Sequence, residues 1–222
     1  MSAGSAPEGR VRVARTAFPV VVAAPSGTGK TTVCRGVVER DPGIVFSVSH
    51  TTRLRRREET DGENYHFVKS EQFQRLVEDG AFLEWAEYND CKYGTSWAAI
   101  DAPLAAGKDV LLEIEVQGAR QVRERRGDAR FIFLLPPSIR ALRARLVQRG
   151  TDSEDQIERR LELAFRELEA IHTFDYAVVN EELETCVRNV LEILEGERCG
   201  GAQALRRRFA TVAALERLQG AG

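Results

Sequence analysis

The chain has 222 residues, enough to bury a full hydrophobic core, and its formal net charge at pH 7 is −2. That charge argues against a nucleic-acid-binding protein, and no apolar run approaches the ~20 residues that span a bilayer. The four cysteines lie apart with no C-x-x-C pair, which predicts reduced thiols in a cytoplasmic protein. Residues 1–17 lack the apolar stretch of a signal peptide, so we predict a flexible N-terminal arm.

A glycine-rich loop follows the first predicted strand, Val20–Ala24, and leads into a predicted helix, Thr31–Arg40. Strand, glycine-rich turn and helix are the context of a phosphate-binding P-loop, where backbone N–H groups and the helix N-terminus face an anion. Lys30 can reach the β- and γ-phosphates of a nucleoside triphosphate, and the Thr31 hydroxyl can ligate Mg²⁺. The predicted ATP-binding residues of this loop are Ala24, Pro25, Ser26, Gly27, Thr28, Gly29, Lys30, Thr31 and Thr32.

Further apolar runs alternate with helical patterns along the rest of the chain. The predicted strands are Ile44–Val48, Val110–Ile114, Arg130–Leu135 and Tyr176–Val179. The predicted helices are Ser70–Asp79, Gly118–Arg126, Ser138–Arg149, Ser153–Ile171 and Glu182–Glu195. This alternation predicts an α/β fold with a parallel β-sheet core covered by helices. The stretch Ser49–Ile100 breaks the alternation and is interpreted as an inserted α+β lobe, and Ala204–Leu218 is predicted to form one amphipathic helix.

Two charged clusters stand at the ends of predicted strands. Glu113 and Glu115 end an apolar strand, and beside a P-loop this is where an acidic residue holds Mg²⁺, directly or through water. Ser49 stands among hydroxyl residues that precede four arginines, among them Arg53 and Arg56. Such a segment can cradle a second phosphate, although taken alone it is more typical of a solvated run of charge.

Eight short motifs then occur in order from about Phe18 to Glu195. They are the P-loop, Ser49-His50-Thr51-Thr52-Arg53-x-x-Arg56, Asn64-Tyr65-His66-Phe67, Phe82-Leu83-Glu84-Trp85-Ala86, Tyr93-Gly94-Thr95, Glu113-Ile114-Glu115-Val116-Gln117-Gly118, Pro136-Pro137-Ser138 and Arg149-Gly150-Thr151-Asp152-Ser153-Glu154. In these motifs the chain resembles the guanylate kinases, the ATP:GMP phosphotransferases among the P-loop nucleoside monophosphate kinases. The resemblance departs where Arg55 and Glu58 replace the proline and glycine often present there, and where two glutamates replace the usual aspartates.

The resemblance implies a role for residues in every part of the chain. GMP-binding residues would be Ser49, Arg53, Arg56, Tyr65, Glu84, Tyr93, Thr95 and Glu115, of which Glu84 and Thr95 read the guanine. Catalytic residues would be Lys30, Arg53, Arg145, Arg149 and Arg160, and Asn180 would lie near the adenine of ATP. Mg²⁺ would be held by Thr31 with Glu113 or Glu115. The substrates would be ATP and GMP, with dGMP as a further acceptor, in purine nucleotide metabolism.

The resemblance also implies how the chain is divided. The kinase domain would be 18–196, with its core at 18–48 and 101–196, a GMP-binding lobe at 49–100 and a helical lid at about 138–170. The arm at 1–17 and a helical tail at 197–222 would flank it. Two alternatives remain open: a catalytically inactive interaction scaffold, and a related kinase whose acceptor is AMP or a phosphorylated sugar. Lys30 argues against the first and Glu84 against the second, and the oligomeric state is left open.

Overall fold

The computed structural model of the chain describes residues 16–88, 90–148 and 153–220. The strands are β1 (Pro19–Ala23), β2 (Ile44–Phe46), β3 (His50–Thr51), β4 (His66–Phe67), β5 (Phe82–Tyr88), β6 (Cys91–Ser96), β7 (Asp109–Glu113), β8 (Arg130–Leu135) and β9 (Tyr176–Val179). The helices are α1 (Lys30–Arg40), α2 (Ser70–Glu78), α3 (Trp97–Ala105), α4 (Val116–Arg125), α5 (Ile139–Gln148), α6 (Glu154–Leu168), α7 (Leu183–Cys199), α8 (Ala202–Arg208) and α9 (Thr211–Gly220), with a 3₁₀ helix at Glu169–Thr173.

The core is a five-stranded parallel sheet in the order β2-β7-β1-β8-β9. Val21 and Ala23 of β1 face one hydrophobic cluster, whereas Val20 and Val22 face another on the opposite side of the sheet. Burial on both faces explains why these strands are continuous apolar runs. The α/β prediction is therefore confirmed, and because β1 and β7 are neighbours, the loop after β1 lies beside the acidic end of β7.

The inserted lobe is built on a second sheet in the order β4-β3-β6-β5. β5 and β6 form an antiparallel hairpin whose register places Glu84 opposite Thr95. Phe73 of α2 stacks on Phe82 with ring centroids 4.6 Å apart, and these two rings pack beneath the hairpin at Gly94. A Cβ at Gly94 would lie 3.1 Å from each ring, so the absence of a side chain there lets α2 approach the sheet.

Helices α5 and α6 form a small layer with a core of its own, made by Leu142, Leu146 and three residues of α6. This layer packs directly on the loop after β1. Gly27 in that loop has φ +91°, and a Cβ there would lie 2.9 Å from Leu146 and 3.1 Å from Leu142. The position therefore needs glycine both for its backbone conformation and for the packing of α5.

The C-terminal tail forms two helices, so the prediction of one helix over Ala204–Leu218 is wrong. The chain leaves the helix at Phe209, whose side chain is buried and whose carbonyl accepts a 2.9 Å hydrogen bond from the Ala177 N–H of β9. The break lets α9 pack along β9, where Ala214 and Leu218 join the hydrophobic cluster on one face of the sheet. Residues 1–15 of the predicted arm lie outside the described residues. Within the described part of the chain, no helix is long and apolar enough to cross a membrane.

Candidate functional site

The loop between β1 and α1 has the backbone geometry of a phosphate cradle. Gly29, with φ +94°, precedes the first residue of α1, and a Cβ there would lie 2.9 Å from Nδ2 of Asn180. That amide donates to the carbonyl of Thr28 at 2.7 Å. Arg145 of α5 donates to the same carbonyl at 3.0 Å and to the carbonyl of Asn180 at 2.9 Å. Asn180, which the resemblance places near adenine, and Arg145, which it assigns a catalytic role, therefore both hold the backbone of this loop.

Lys30 and Thr31 at the start of α1 face the carboxylates at the end of β7. The Lys30 Nζ donates to the Ile114 carbonyl at 2.8 Å and to Glu115 Oε1 at 3.0 Å. The Thr31 hydroxyl donates to Glu113. Burial acts to lower the pKa of Lys30, but Glu115 and Glu113 outweigh it and raise that pKa above its usual 10.5. The lysine is therefore cationic, and the two glutamates have different partners.

A buried carboxylate lies across the cleft from this loop. Glu84 on β5 is 4% exposed, and its Oε1 accepts from the Thr95 N–H at 3.0 Å and from the Thr95 hydroxyl at 2.6 Å. Ser49 Oγ lies 3.0 Å from that hydroxyl. Burial raises the pKa of Glu84 to about 7, although the two hydrogen bonds from Thr95 oppose the shift. The three predicted residues thus form one hydrogen-bonded chain.

Next to this chain lie two tyrosines and an arginine. The Tyr65 and Tyr93 rings meet edge to face at 6.0 Å, and the Arg53 guanidinium lies 5.5 Å from the Tyr65 ring centroid. Arg53 is bound to Glu59 by hydrogen bonds of 2.7 and 3.1 Å, which raise its pKa further. Arg56 binds Glu59 through its backbone: its N–H donates to Glu59 Oε2 at 2.8 Å and its carbonyl accepts from the Glu59 N–H at 3.3 Å, while its side chain is exposed. The structure brings Arg53 to the tyrosines but leaves the Arg56 side chain in solvent.

A cavity of about 320 Å³ lies between the loop after β1, the end of β7, Glu84 and the two tyrosines. It is lined by Ala24, Pro25, Ser26, Gly27, Thr28, Gly29, Lys30, Thr31, Thr32, Ser49, Tyr65, Glu84, Ala86, Tyr88, Tyr93, Glu113, Ile114 and Glu115. Sequence reasoning missed Ala86 and Tyr88, although the two-residue period of β5 puts both on the face of Glu84. A second cavity of about 380 Å³ lies on the other side of the loop, between Arg145 and Asn180, where Gln148 and Leu183 complete the wall.

Among the predicted arginines that the structure describes, Arg145 lines the second cavity, whereas Arg53, Arg56 and Arg160 line neither. Arg160 lies half-buried on α6, and Arg149 lies outside the described residues. Two turns after Arg160, on the same face of α6, lies Glu167, which is 8% exposed. Burial, followed by the charge of Glu115, raises the pKa of Glu167 to about 7. Its place in the sequence gave no sign of this, because a glutamate in a charged helix is ordinarily solvated.

The described residues contain no group of three or more His, Cys, Asp or Glu side chains arranged to hold a metal. The Thr31 hydroxyl and the Glu113 carboxylate nevertheless lie in contact at the mouth of the loop. Both are hard oxygen donors, and Mg²⁺ in nucleotide sites takes one or two protein oxygens and completes its shell with phosphates and water. The donor set therefore fits Mg²⁺ bound together with a nucleotide.

Comparison with known proteins identifies a family. The family model described as guanylate kinase matches residues 16–197. A guanylate kinase of Halalkalibacterium halodurans is 45% identical over 81% of this chain and 88% of its own length. One from Nitrosomonas europaea is 46% identical over 87% of this chain and 96% of its own length. The crystal structure of guanylate kinase from Anaplasma phagocytophilum superimposes with a TM-score of 0.69 at 32% identity, covering 83% of this chain and 87% of that one.

Proposed function

The chain belongs to the guanylate kinase family, and from this membership and the geometry of the cleft we infer that it transfers the γ-phosphoryl group of ATP to GMP. The observation that carries this conclusion is the shared cavity. The phosphate loop with Lys30 forms one wall, and Glu84 with Ser49 and Tyr93 forms another. A donor triphosphate and an acceptor nucleotide bound to these walls would meet in the space between them. The products are ADP and GDP.

Charge neutralisation is the main task of such a site, because both substrates are polyanions and the transition state is loose. We propose that Lys30 exchanges its bond with Glu115 for one with the triphosphate of ATP. Thr31 together with Glu113 would hold Mg²⁺, which when bound neutralises charge on the β- and γ-phosphates. The phosphate of GMP is already an anionic nucleophile, so no general base is required and no histidine is assigned a catalytic role.

Guanine recognition is proposed to depend on Glu84. Thr95 uses both lone-pair positions of Oε1, which leaves Oε2 for the N1–H and 2-amino donors of guanine. Adenine presents an acceptor at N1 and has no 2-amino group, so a buried carboxylate facing it would be left unpaired. Sites that depend on such hydrogen bonds discriminate between substrates by about 10⁴-fold or more.

The acceptor phosphate is proposed to be bound by Ser49, Tyr65 and Tyr93 together with two arginines. Arg53 would exchange Glu59 for this phosphate, and Arg56 would turn in from solvent to join it. Arg145, Arg149 and Arg160 are proposed to act from the lid, where closure over both nucleotides excludes water as a competing acceptor. Glu115, once released from Lys30, would lie on the GMP side of the cleft.

Further features of the protein are proposed on the same grounds. We propose dGMP as a second acceptor, because no contact assigned above requires the ribose 2′-hydroxyl. The lobe at 49–100 would bind GMP, the lid at about 138–170 would close on ATP, and the tail at 197–222 would stabilise the fold. We place the enzyme in the cytoplasm, where purine nucleotides are interconverted.

The direct experiment is a coupled assay of ADP formation with ATP, Mg²⁺ and GMP. The account predicts rapid ADP formation that depends on GMP. Absence of turnover together with retained GMP binding would instead favour a scaffold. Turnover with AMP or a sugar phosphate in place of GMP would favour a kinase of another acceptor.

A further inference from the structure

Side chains of the core helix α4 bind the backbone of the strand that carries Glu84. Gln121 donates to the Trp85 carbonyl at 2.6 Å and accepts from the Trp85 N–H at 3.2 Å. Arg125 donates to the Leu83 carbonyl at 2.7 Å. The residues on either side of Glu84 are thus fixed to a helix of the core as well as to the sheet of the inserted lobe.

The same helix approaches the carboxylate of Glu84 at Gly118. A Cβ at this buried glycine would lie 2.4 Å from Glu84 Oε2 and 3.2 Å from its Cδ. Gly118 has an ordinary helical backbone, so the glycine is not needed for its φ angle. The carboxylate cannot rotate away freely, because Thr95 holds Oε1 with two hydrogen bonds. Any side chain at position 118 must therefore displace Oε2.

We propose that Gly118 and Gln121 determine guanine specificity as positioning residues, Gly118 by leaving room for Oε2 of Glu84 and Gln121 by fixing the strand behind it. This inference rests on the proposed role of Glu84 in reading guanine. It assigns part of the selectivity for GMP to a core helix that lines neither of the two cavities. Neither residue is a catalytic residue in this account.

Gly118→Ala tests the inference while sparing the fold. Alanine is a better helix former than glycine, and the atom in its way is the end of a side chain rather than backbone. We expect kcat/KM for GMP to fall about 10- to 100-fold, as for one weakened hydrogen bond to a charged group. The preference for GMP over IMP, which lacks the 2-amino group, should fall with it. The KM for ATP should stay unchanged. In Gly127→Ala, where nothing lies within 4 Å of the new methyl group, the preference for GMP over IMP should stay unchanged as well.

A double-mutant cycle with Glu84→Gln separates this inference from the one it rests on. If Gly118 acts through Glu84, Gly118→Ala should cause little further loss in the Glu84→Gln background. The positioning role would be overturned if Gly118→Ala kept the wild-type preference for GMP over IMP. It would also be overturned if Gly118→Ala lowered kcat/KM for GMP equally in the wild-type and Glu84→Gln backgrounds. An unchanged preference in Glu84→Gln would instead overturn the role of Glu84 itself.

Gln121→Leu provides a second variant that places nothing in the space beside Oε2. It removes both hydrogen bonds to Trp85, so we expect a smaller loss of preference for GMP over IMP, with the KM for ATP unchanged. A loss of activity with all acceptors in equal proportion would overturn the role of Gln121.

Discussion

The substitution Glu84→Gln removes one charge, and its cost follows from the hydrogen bonds of Glu84. The Thr95 N–H can only donate, so the amide oxygen of the glutamine must take the place of Oε1. The amide NH₂ then takes the place of Oε2 and meets the donors of guanine. The variant loses a hydrogen bond to a charged acceptor and leaves a buried donor unpaired, together about 3 to 5 kcal/mol. The expected fall in kcat/KM for GMP is about 10² to 10⁴-fold.

The assay measures initial rates with GMP and with AMP for both proteins at saturating ATP. The new NH₂ can donate to N1 of adenine, so kcat/KM for AMP should stay equal or rise while that for GMP falls. Glu87→Gln on the same strand is the matched control, because Glu87 is exposed on the opposite face. A Glu84→Gln enzyme that keeps the wild-type preference for GMP over AMP would refute the reasoning.

Three further outcomes follow from the structure. Lys30→Ala should lower kcat by about 10²-fold or more in the same assay, whereas Lys108→Ala should not, because Lys108 donates to the Pro42 carbonyl and lines neither cavity. Burial raises the pKa of Glu84 from 4.5 to about 7, so the folded protein binds more protons than the unfolded chain between these values. Protonated Glu84 therefore stabilises the folded protein fully below pH 4.5, and this stabilisation is lost as pH rises through about 7. In urea unfolding, the free energy of unfolding of the wild type should fall by about 3 kcal/mol more than that of Glu84→Gln between about pH 5 and pH 8. Phe209→Ala should cost about 3 kcal/mol of unfolding free energy in urea with kcat unchanged, whereas Val212→Ala, 64% exposed, should cost under ~0.5 kcal/mol.

Local sequence patterns were sufficient to predict strands of the parallel sheet, but they misled the prediction of helix α3 and of the C-terminal tail. Arg130–Leu135 and Tyr176–Val179 are strands with the predicted bounds, because each is a short apolar run with a clear end, at Pro136 for the first and at Asn180 for the second. Helix α3 was missed because it contains Pro103; burial of Ile100 and a cap from Ser96 stabilise it nonetheless. The break in the tail at Phe209 depends on a bond to β9, which no local pattern reveals.

The candidate site likewise has one part that the sequence could predict and another that depends on tertiary packing. The loop with Lys30 is contiguous in sequence, so its glycines and its position after a strand could be read directly. The pairing of Lys30 with Glu115 joins residues 85 apart in the chain, and the approach of Gly118 to Glu84 likewise depends on tertiary packing. The roles of the individual acceptor residues came from the resemblance to guanylate kinases, and they stay predictions until the variants are measured.

The account depends on one claim, that the nucleotide facing Lys30 across the cavity carries guanine. A panel of GMP, dGMP, IMP, AMP and sugar phosphates, each assayed with ATP and Mg²⁺, tests this claim most directly. The account predicts rapid transfer to GMP, slower transfer to IMP, and transfer to AMP that is lower by about 10⁴-fold. Comparable rates with AMP or a sugar phosphate, or transfer to none of the acceptors, would contradict it.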